Sequence, residues 1–164
     1  MSSIIENAVK ELQPKLIESS TYVGETTLTV KAEDIYWVCK TLKENYGFNY
    51  LVDILSVDNF RDEARFEIIY NIFNLETKSR IRVKAFVEED KPEIDSVVSI
   101  WPAANWNERE TYDMMGIIFK NHPDLRRMFM PEDFEYFPLR KEFPLIGIPG
   151  SIQLPEKDPP KEYK

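Results

Sequence analysis

The feature that most limits how this chain can fold is a dense stretch at residues 105–145, NWNERETYDMMGIIFKNHPDLRRMFMPEDFEYFPLRKEFPL. It mixes acids, arginines, aromatic residues and prolines too irregularly for the apolar spacing of a plain helix or strand. Such a segment cannot bury itself through amphipathic periodicity. We therefore expect specific polar pairs, or a surface on another molecule, to hold it, and we look for function or partnership there.

Length and composition favour a single domain. The chain has 164 residues, and its 43% apolar residues suffice for a core. Its 29 acidic and 21 basic residues give a net charge of −8, which argues against nucleic-acid binding. No apolar run approaches the roughly 18 residues that span a bilayer. The first residues lack the features of a signal or transit peptide, so we expect a cytosol-like compartment.

Cys39 and His122 are the only residues of their types, which limits the chemistry that the chain can carry. One thiol cannot hold an iron–sulfur cluster, and one thiol with one imidazole makes a poor zinc site. A Ser–His–Asp triad would depend wholly on His122. The glycine motifs of dinucleotide- and phosphate-binding loops do not occur. We therefore expect no cofactor in this chain.

Apolar spacing and turn residues predict a series of helices and strands before residue 105. The predicted elements are a helix at residues 3–18 that Pro14 would kink or end early, a strand at 26–31, a helix that ends at Gly47, a central strand at 48–57 with apolar residues on both faces, a hairpin partner at 65–73, a strand at 80–87, and a helix that begins at Pro92 and ends at Pro102.

The strand at residues 80–87 alternates, with Ile81, Val83, Ala85 and Val87 on one face and Arg80, Arg82, Lys84 and Phe86 on the other. The second face either meets water or binds an acidic partner. The whole order predicts a two-layer α+β fold, α-β(2)-α-β(3), with a mixed, mostly antiparallel sheet at residues 1–120. Eight of the 11 prolines follow residue 120, so residues 121–164 are predicted to form an irregular C-terminal arm that docks on a partner.

A short helix is predicted at the start of the dense stretch. Asn105 would cap it, Glu108 would complete a capping box, and Gly116 would end it. Arg109 and Asp113 lie four residues apart and are expected to pair. Residues 122–124, HPD, then form a turn, and Arg126 and Arg127 follow within reach of the acids.

Two interpretations of these charges compete. In the enzyme interpretation, Glu108, Glu110 and Asp113 act with His122 as acid–base or metal-binding groups. In the structural interpretation, cations neutralise the acids and fix an irregular segment, and His122 bonds to a neighbour. The structural interpretation is favoured because the cations close by are numerous enough to neutralise the acids of this segment. They are Arg109, Arg126, Arg127, Arg140 and Lys141.

Residues 108–127, ERETYDMMGIIFKNHPDLRR, resemble the signature of the C subunit of NADH–quinone oxidoreductase, respiratory complex I. The mitochondrial iron–sulfur protein subunit 3, which binds no cluster, belongs to the same family. Residues 138–145, PLRKEFPL, resemble the family's second block, and the strand around residues 50–55 resembles its N-terminal half. The chain departs from the family at Phe134, Tyr136 and Phe137, where tryptophan, then glycine with histidine or tyrosine, are usual.

The resemblance implies a two-layer α+β subunit of the peripheral arm, without an active site of its own. It would brace the quinone-site (D) subunit and contact the cluster-bearing B and I subunits, on the cytoplasmic side of the cell membrane. FMN and iron–sulfur clusters would lie in partner subunits, with NADH and quinone as substrates of the complex. The structural or partner-binding residues would be Glu108, Arg109, Glu110, Asp113, His122, Arg126, Arg127, Arg140 and Lys141.

Three alternatives stay open. The chain could serve a related membrane-bound hydrogenase or another dehydrogenase complex. It could be a free-standing acid–base enzyme that uses Glu108, Glu110 and His122. It could also be a binding module for an acidic protein through the face formed by Arg80, Arg82 and Lys84.

Overall fold

The computed structural model describes residues 2–60, 64–148 and 150, so the last part of the predicted arm, residues 151–164, lies outside the described residues. Three helices and seven strands are found in the described part of the chain. In order they are α1 (Ser2–Leu12), β1 (Leu16–Tyr22), β2 (Glu25–Lys31), α2 (Ile35–Tyr46), β3 (Tyr50–Asp58), β4 (Phe66–Asn74), β5 (Ser79–Val87), β6 (Glu93–Asp95), α3 (Ala104–Met115) and β7 (Ile118–Lys120).

The first five strands form one sheet in the order β1-β2-β5-β4-β3. Neighbouring strands are antiparallel except β2 and β5, which are parallel. The predicted α+β fold with a mixed, mostly antiparallel sheet is therefore confirmed. Helices α1 and α2 contribute Ala8, Leu12, Val38 and Leu42 to the core, which they share with buried strand residues such as Leu28 and Ile68.

The alternation of β5 is confirmed, since Ile81, Val83, Ala85 and Val87 are all buried. On the other face the cations pair with acids of neighbouring strands. Glu25 lies 3.6 Å from an Arg80 guanidinium nitrogen and 3.1 Å from one of Arg82. The ammonium of Lys84 lies 2.5 Å from Glu67. These pairs neutralise the basic stripe within the sheet.

The helix predicted at residues 3–18 ends early, which is one of the two outcomes predicted for Pro14. Helix α1 ends at Leu12, and a single 3₁₀ turn that contains Pro14 follows. Proline has no N–H to bond the carbonyl of the preceding turn, and its ring clashes with that carbonyl. Leu16 then begins β1. The predicted order includes two strands between the first two helices, but the bounds of this one were not predicted because its side chains, all exposed after Leu16, do not alternate.

The prediction of a central strand at residues 48–57 is wrong in position. Strand β3 pairs with β4 as the predicted hairpin, but it lies at the edge of the sheet. Leu51 and Ile54 are buried, whereas Val52, Leu55 and Val57 stay between 38% and 49% exposed. Apolar residues on both faces of β3 therefore do not show that the strand lies in the centre of the sheet.

The helix predicted at Pro92 is also wrong. Residues 93–95 form β6, which pairs in parallel with β7. Ile118 donates its N–H to the carbonyl of Pro92 at 2.7 Å, and Ser96 donates to Lys120 at 2.9 Å. The apolar spacing matches a helical period, but these bonds to a distant segment replace the helical ones.

Candidate functional site

Helix α3 begins two residues earlier than predicted, and its capping differs. The N-cap position is Ala103, which makes no side-chain capping bond, so the predicted cap at Asn105 is wrong. Glu108 does not form a capping box. Its Oε1 instead accepts the backbone N–H of Val97 at 2.7 Å, because the loop before α3 needs that acceptor. Gly116 ends the helix with φ +76°, as predicted.

Glu108 is fully buried, and burial raises the pKa of its carboxyl to about 7 against opposing hydrogen bonds from Ser96 and Val97. Its Oε2 lies 3.9 Å from Nε2 of His122, whose side chain is also fully buried. Burial lowers the pKa of His122. Asp124 donates its N–H to Nδ1 at 3.0 Å, so the neutral ring carries its proton on Nε2, which faces the carbonyl of Asn105 at 3.3 Å.

This arrangement does not resemble an acid–base site. Glu110 is exposed, whereas Glu108 and His122 are enclosed. A substrate would therefore meet Glu110 without reaching the other two groups. Within the described residues, no group of three or more His, Cys, Asp or Glu side chains is arranged to hold a metal ion. His122 bonds to neighbours on both ring nitrogens, as the structural interpretation predicted.

Asp113 is the first anchor of the irregular segment. Its buried Oδ2 accepts the backbone N–H groups of Met128, Phe129 and Met130 at 2.9, 2.6 and 3.1 Å. Its Oδ1 accepts Nη1 of Arg127 at 2.7 Å. Burial alone would raise the pKa of Asp113, but these donors outweigh it and hold the pKa below its usual value. Asp113 therefore fixes the path of the chain after residue 126.

The predicted pair between Arg109 and Asp113 is wrong. Arg109 donates to the carbonyls of Arg126 and Arg127 at 3.1 and 3.3 Å, and its guanidinium lies over the ring of Trp106. The inward direction of Asp113 places it nearer to Arg127. Both arginines thus hold the same segment. The guanidinium of Arg109 binds its backbone carbonyls, and Arg127, which belongs to the segment, binds Asp113 through its own side chain.

Arg65 is a second anchor, which was not predicted from the sequence. It forms a two-pronged pair with Asp58 at 2.8 Å for both bonds and also contacts Glu89 and Glu142. Asp58 accepts the N–H of Lys141 at 2.8 Å. The hydrogen bonds from Arg65 hold the pKa of Asp58 below its usual value. The sequence signal that could have predicted this pair is the acid Asp58 just after the first strand of the predicted hairpin and the cation Arg65 at the start of the second.

Aromatic residues fill the space between the two anchors. Phe134, Tyr136 and Phe143 lie with ring centroids 5.6 to 6.2 Å apart. Arg140 lies over Phe137 at 4.5 Å and donates to the carbonyl of Met115 at 2.8 Å. Phe134 and Tyr136, two of the residues at which the chain departs from the family, thus belong to a packed cluster in which Phe134 is buried, and Phe137 packs against Arg140.

The structure brings most of the predicted site residues together around α3. Arg109, Asp113, Arg127 and Arg140 hold the segment, while Glu108 and His122 form the buried contact below it. Arg126 pairs with exposed Asp124 at 2.7 Å. Lys141 contributes its backbone N–H, and Glu110 faces outward. The fold and its anchors define a small α+β protein that carries a long irregular segment beside its sheet.

Known proteins of one family are similar to this chain in sequence. The family model described as the respiratory-chain NADH dehydrogenase 30 Kd subunit matches residues 28–148. The NADH-quinone oxidoreductase C subunit of Geotalea uraniireducens is 44% identical over 167 residues, which cover 98% of both chains. The C subunit of Geobacter metallireducens is 44% identical over 142 residues, which cover 86% of this chain and 87% of its relative.

Solved structures share the fold. The trypsin-resistant fragment of Nqo5 superposes with a TM-score of 0.67 at 30% identity, over 74% of this chain and 99% of the fragment. A chain of the membrane-bound sulfane sulfur reductase, an archaeal respiratory membrane complex, gives 0.75 at 25% identity, over 87% of this chain and 85% of that one. The chain belongs to the family of the respiratory-chain NADH dehydrogenase 30 Kd subunit.

Proposed function

We propose that this chain is the C subunit of a proton-translocating NADH–quinone oxidoreductase, in which it braces the quinone-site subunit and the cluster-bearing subunits. The chain carries no electrons itself. FMN and the iron–sulfur clusters belong to its partners, and NADH and quinone are substrates of the whole complex. Support comes from the relatives of that name, which match this chain along nearly all of its length.

The observation that carries the bracing role is the way in which the irregular segment is held. Asp113 and Arg65 fix its backbone and acids from the inside. Large apolar side chains then point outward from the same segment, with Phe129 and Leu139 more than half exposed and Leu145 and Ile146 almost wholly exposed. A rigid segment with an apolar outer surface is suited to bind another protein.

The partner proposed for this surface is the quinone-site subunit, and the peripheral position is on the cytoplasmic side of the cell membrane. None of the helices in the described part of the chain is long and apolar enough to cross a bilayer. Attachment to the membrane through partner subunits fits this finding. The proposed roles of Arg126, Arg140 and Lys141 are to shape the rim of this surface.

An equivalent subunit of another respiratory membrane complex is the second candidate. The observation that favours it is the structural match to a chain of the sulfane sulfur reductase. That complex is named for a different reaction from NADH–quinone oxidation and reduction. Both candidates use the same surface, and they differ in the electron donor of the complex.

The proposal is tested by purifying the tagged chain from its native membranes in mild detergent, with mass spectrometry and an NADH–quinone reductase assay. We expect a large flavin- and iron–sulfur-containing assembly with that activity. An assembly with hydrogenase or sulfur reductase activity would support the second candidate. Recovery of the chain alone would contradict both.

Leu139→Glu tests the surface directly. An acid in a desolvated apolar contact costs about 2 kcal/mol or more, so we expect at least a tenfold lower recovery of the quinone-site subunit. Leu75→Glu is the matched control, because Leu139 and Leu75 are 57% and 55% exposed and Leu75 lies in the turn between β4 and β5. Equal recovery with both variants would contradict the assignment of this surface.

A further inference from the structure

Strand β1 lies at the opposite edge of the sheet from β3, and within the described residues it pairs only with β2. Every side chain of β1 after Leu16 is exposed, and Glu18 is its one charged residue. A seven-residue edge strand with unpaired backbone groups is a template for another strand, and proteins usually protect such an edge with charges, proline or a covering element. Here the protection consists of Glu18 and one bulge between Leu16 and Glu18, so the part of the edge from Ser19 to Tyr22 is regular and uncharged.

The turn between β1 and β2 adds a second, independent observation. Val23 and Gly24 have φ values of +49° and +81°, the combination that favours Asn-Gly in tight hairpins. A β-branched residue is strained in this region. Tyr22 and Val23 are each 83% exposed, so packing within the chain does not compensate for the strain. An apolar, strained and exposed tip indicates a contact made outside the chain.

A cleft of about 640 Å³ lies beside this hairpin, between α1, β1 and the turn that leads into β5. Ile5 and Val9 supply apolar lining, and Lys10 and Lys78 supply two cations against the single acid Glu6, while Arg80 is already paired with Glu25. Among the described residues, Lys10 and Lys78 have no carboxylate within 4.0 Å. This local excess of positive charge stands out on a protein of net charge −8.

We propose that the free edge of β1 and this cleft form a docking surface for an extended, acidic segment of a partner polypeptide. The segment adds one strand to the sheet beside β1. Its acidic side chains meet Lys10 and Lys78, and its apolar side chains contact Tyr22 and Val23. The surface is separate from the one that carries Leu139, so the proposal does not depend on the quinone-site contact.

Hydrogen exchange measures strand addition directly. New backbone bonds along one edge slow the exchange of alternate β1 amides, and we expect at least about a tenfold slowing in the purified complex relative to the isolated full chain. Unchanged exchange across β1 would overturn the proposal. A photo-reactive benzophenone residue in place of Tyr22 is expected to crosslink to an acidic stretch of a polypeptide. Crosslinks only to lipid, only to a basic stretch, or to nothing would equally overturn it.

Two variants separate docking from folding. Val23→Asn places a favoured residue in the turn, so the isolated chain is expected to melt at a higher temperature while the crosslinked partner is recovered in at least about tenfold lower yield. The double variant Lys10→Glu with Lys78→Glu is expected to lower recovery similarly, whereas Lys40→Glu, an exposed lysine on α2, leaves it unchanged. Full recovery with both test variants would contradict the proposal. A benzophenone residue at Leu139 reports the quinone-site contact separately.

Discussion

At the scale of single residues, the number of donors around a buried carboxylate decides its charge. Glu108 and Asp113 lie on the same helix, and both are fully buried. Asp113 accepts four hydrogen bonds from the segment after residue 126, and its pKa falls. Glu108 has an oxygen without a hydrogen bond among the described residues, and burial raises its pKa. If position on the helix and burial alone set the pKa, both carboxyls would have a raised pKa.

Asp113→Asn is expected to destabilise the protein by about 3 kcal/mol. The amide nitrogen would face donors where an acceptor is needed, and the guanidinium of Arg127 would lose its partner. Urea denaturation of the variant measures the change. Glu110→Gln on the exposed side of α3 serves as the control and should change stability by less than about 0.5 kcal/mol. Equal effects of the two substitutions would contradict the role of Asp113 as an anchor.

Glu108 predicts a pH dependence of stability. Its carboxyl has a pKa of about 7 in the folded protein against an ordinary value of 4.5, so the folded state binds the proton more tightly. Burial of Glu108 therefore costs no stability below pH 4.5. The cost grows as pH rises and reaches about 3 kcal/mol above pH 7.

Glu108→Gln isolates this effect, because the amide oxygen still accepts the N–H of Val97. We expect the variant to be more stable than the wild type at pH 8 and the difference to vanish near pH 4.5, as measured by denaturation at each pH. His122 acts in the opposite sense, since its lowered pKa reduces stability as pH falls below 6.5, but it is present in both proteins. A difference that is independent of pH would contradict the prediction.

At the scale of elements, α2 and α3 each end at a glycine in the left-handed conformation, Gly47 and Gly116, but the two glycines have different surroundings. Gly116 has φ +76°, and a Cβ there would lie 2.7 Å from atoms of Phe137 and Arg140. The glycine thus ends α3 and also leaves room for the irregular segment to pack over the helix end. The first role could be predicted from the sequence because αL geometry is local. The second role depends on residues that lie more than 20 positions later.

Gly116→Ala is expected to cost more than about 2 kcal/mol, through the αL conformation and the clash together. Gly24→Ala is the matched control. It has φ +81° but no atom within 4 Å of the added Cβ, so it should cost only about 1 kcal/mol. Thermal unfolding compares the two variants, and limited proteolysis near residue 140 should detect release of the segment only with Gly116→Ala. Equal costs would show that the close packing adds nothing.

At the scale of the whole molecule, Arg65 joins the hairpin of β3 and β4 to the last part of the described chain. It bonds Asp58 beside it in the hairpin and Glu142 at the far end of the segment. The side chains of Arg65 and Asp58 are 4% and 1% exposed, so this pair is shielded from solvent, whereas Glu142 is 44% exposed. Removal of the cation leaves Asp58 buried without its partner.

Arg65→Ala is therefore expected to cost about 3–5 kcal/mol and to expose residues 141–148 to protease. Arg82→Ala is the control, because Arg82 also joins strands through an acid but its side chain is 37% exposed. Its loss should cost no more than about 1 kcal/mol. If both variants unfold at the same urea concentration, Arg65 has no special role in joining the parts.

The amino-acid sequence by itself determined the features that depend on near neighbours: the alternation of β5, the hairpin of β3 and β4, and the helix ends at Gly47 and Gly116. Pro14 also ended α1, because a missing N–H acts within one turn. Tertiary structure decided which partner each polar group takes. Asp58 bonds Lys141 from 83 positions away, β6 pairs with β7 instead of continuing as a helix, and Asp113 binds Arg127 instead of Arg109. These choices follow from the directions of buried side chains, which only the packed fold defines.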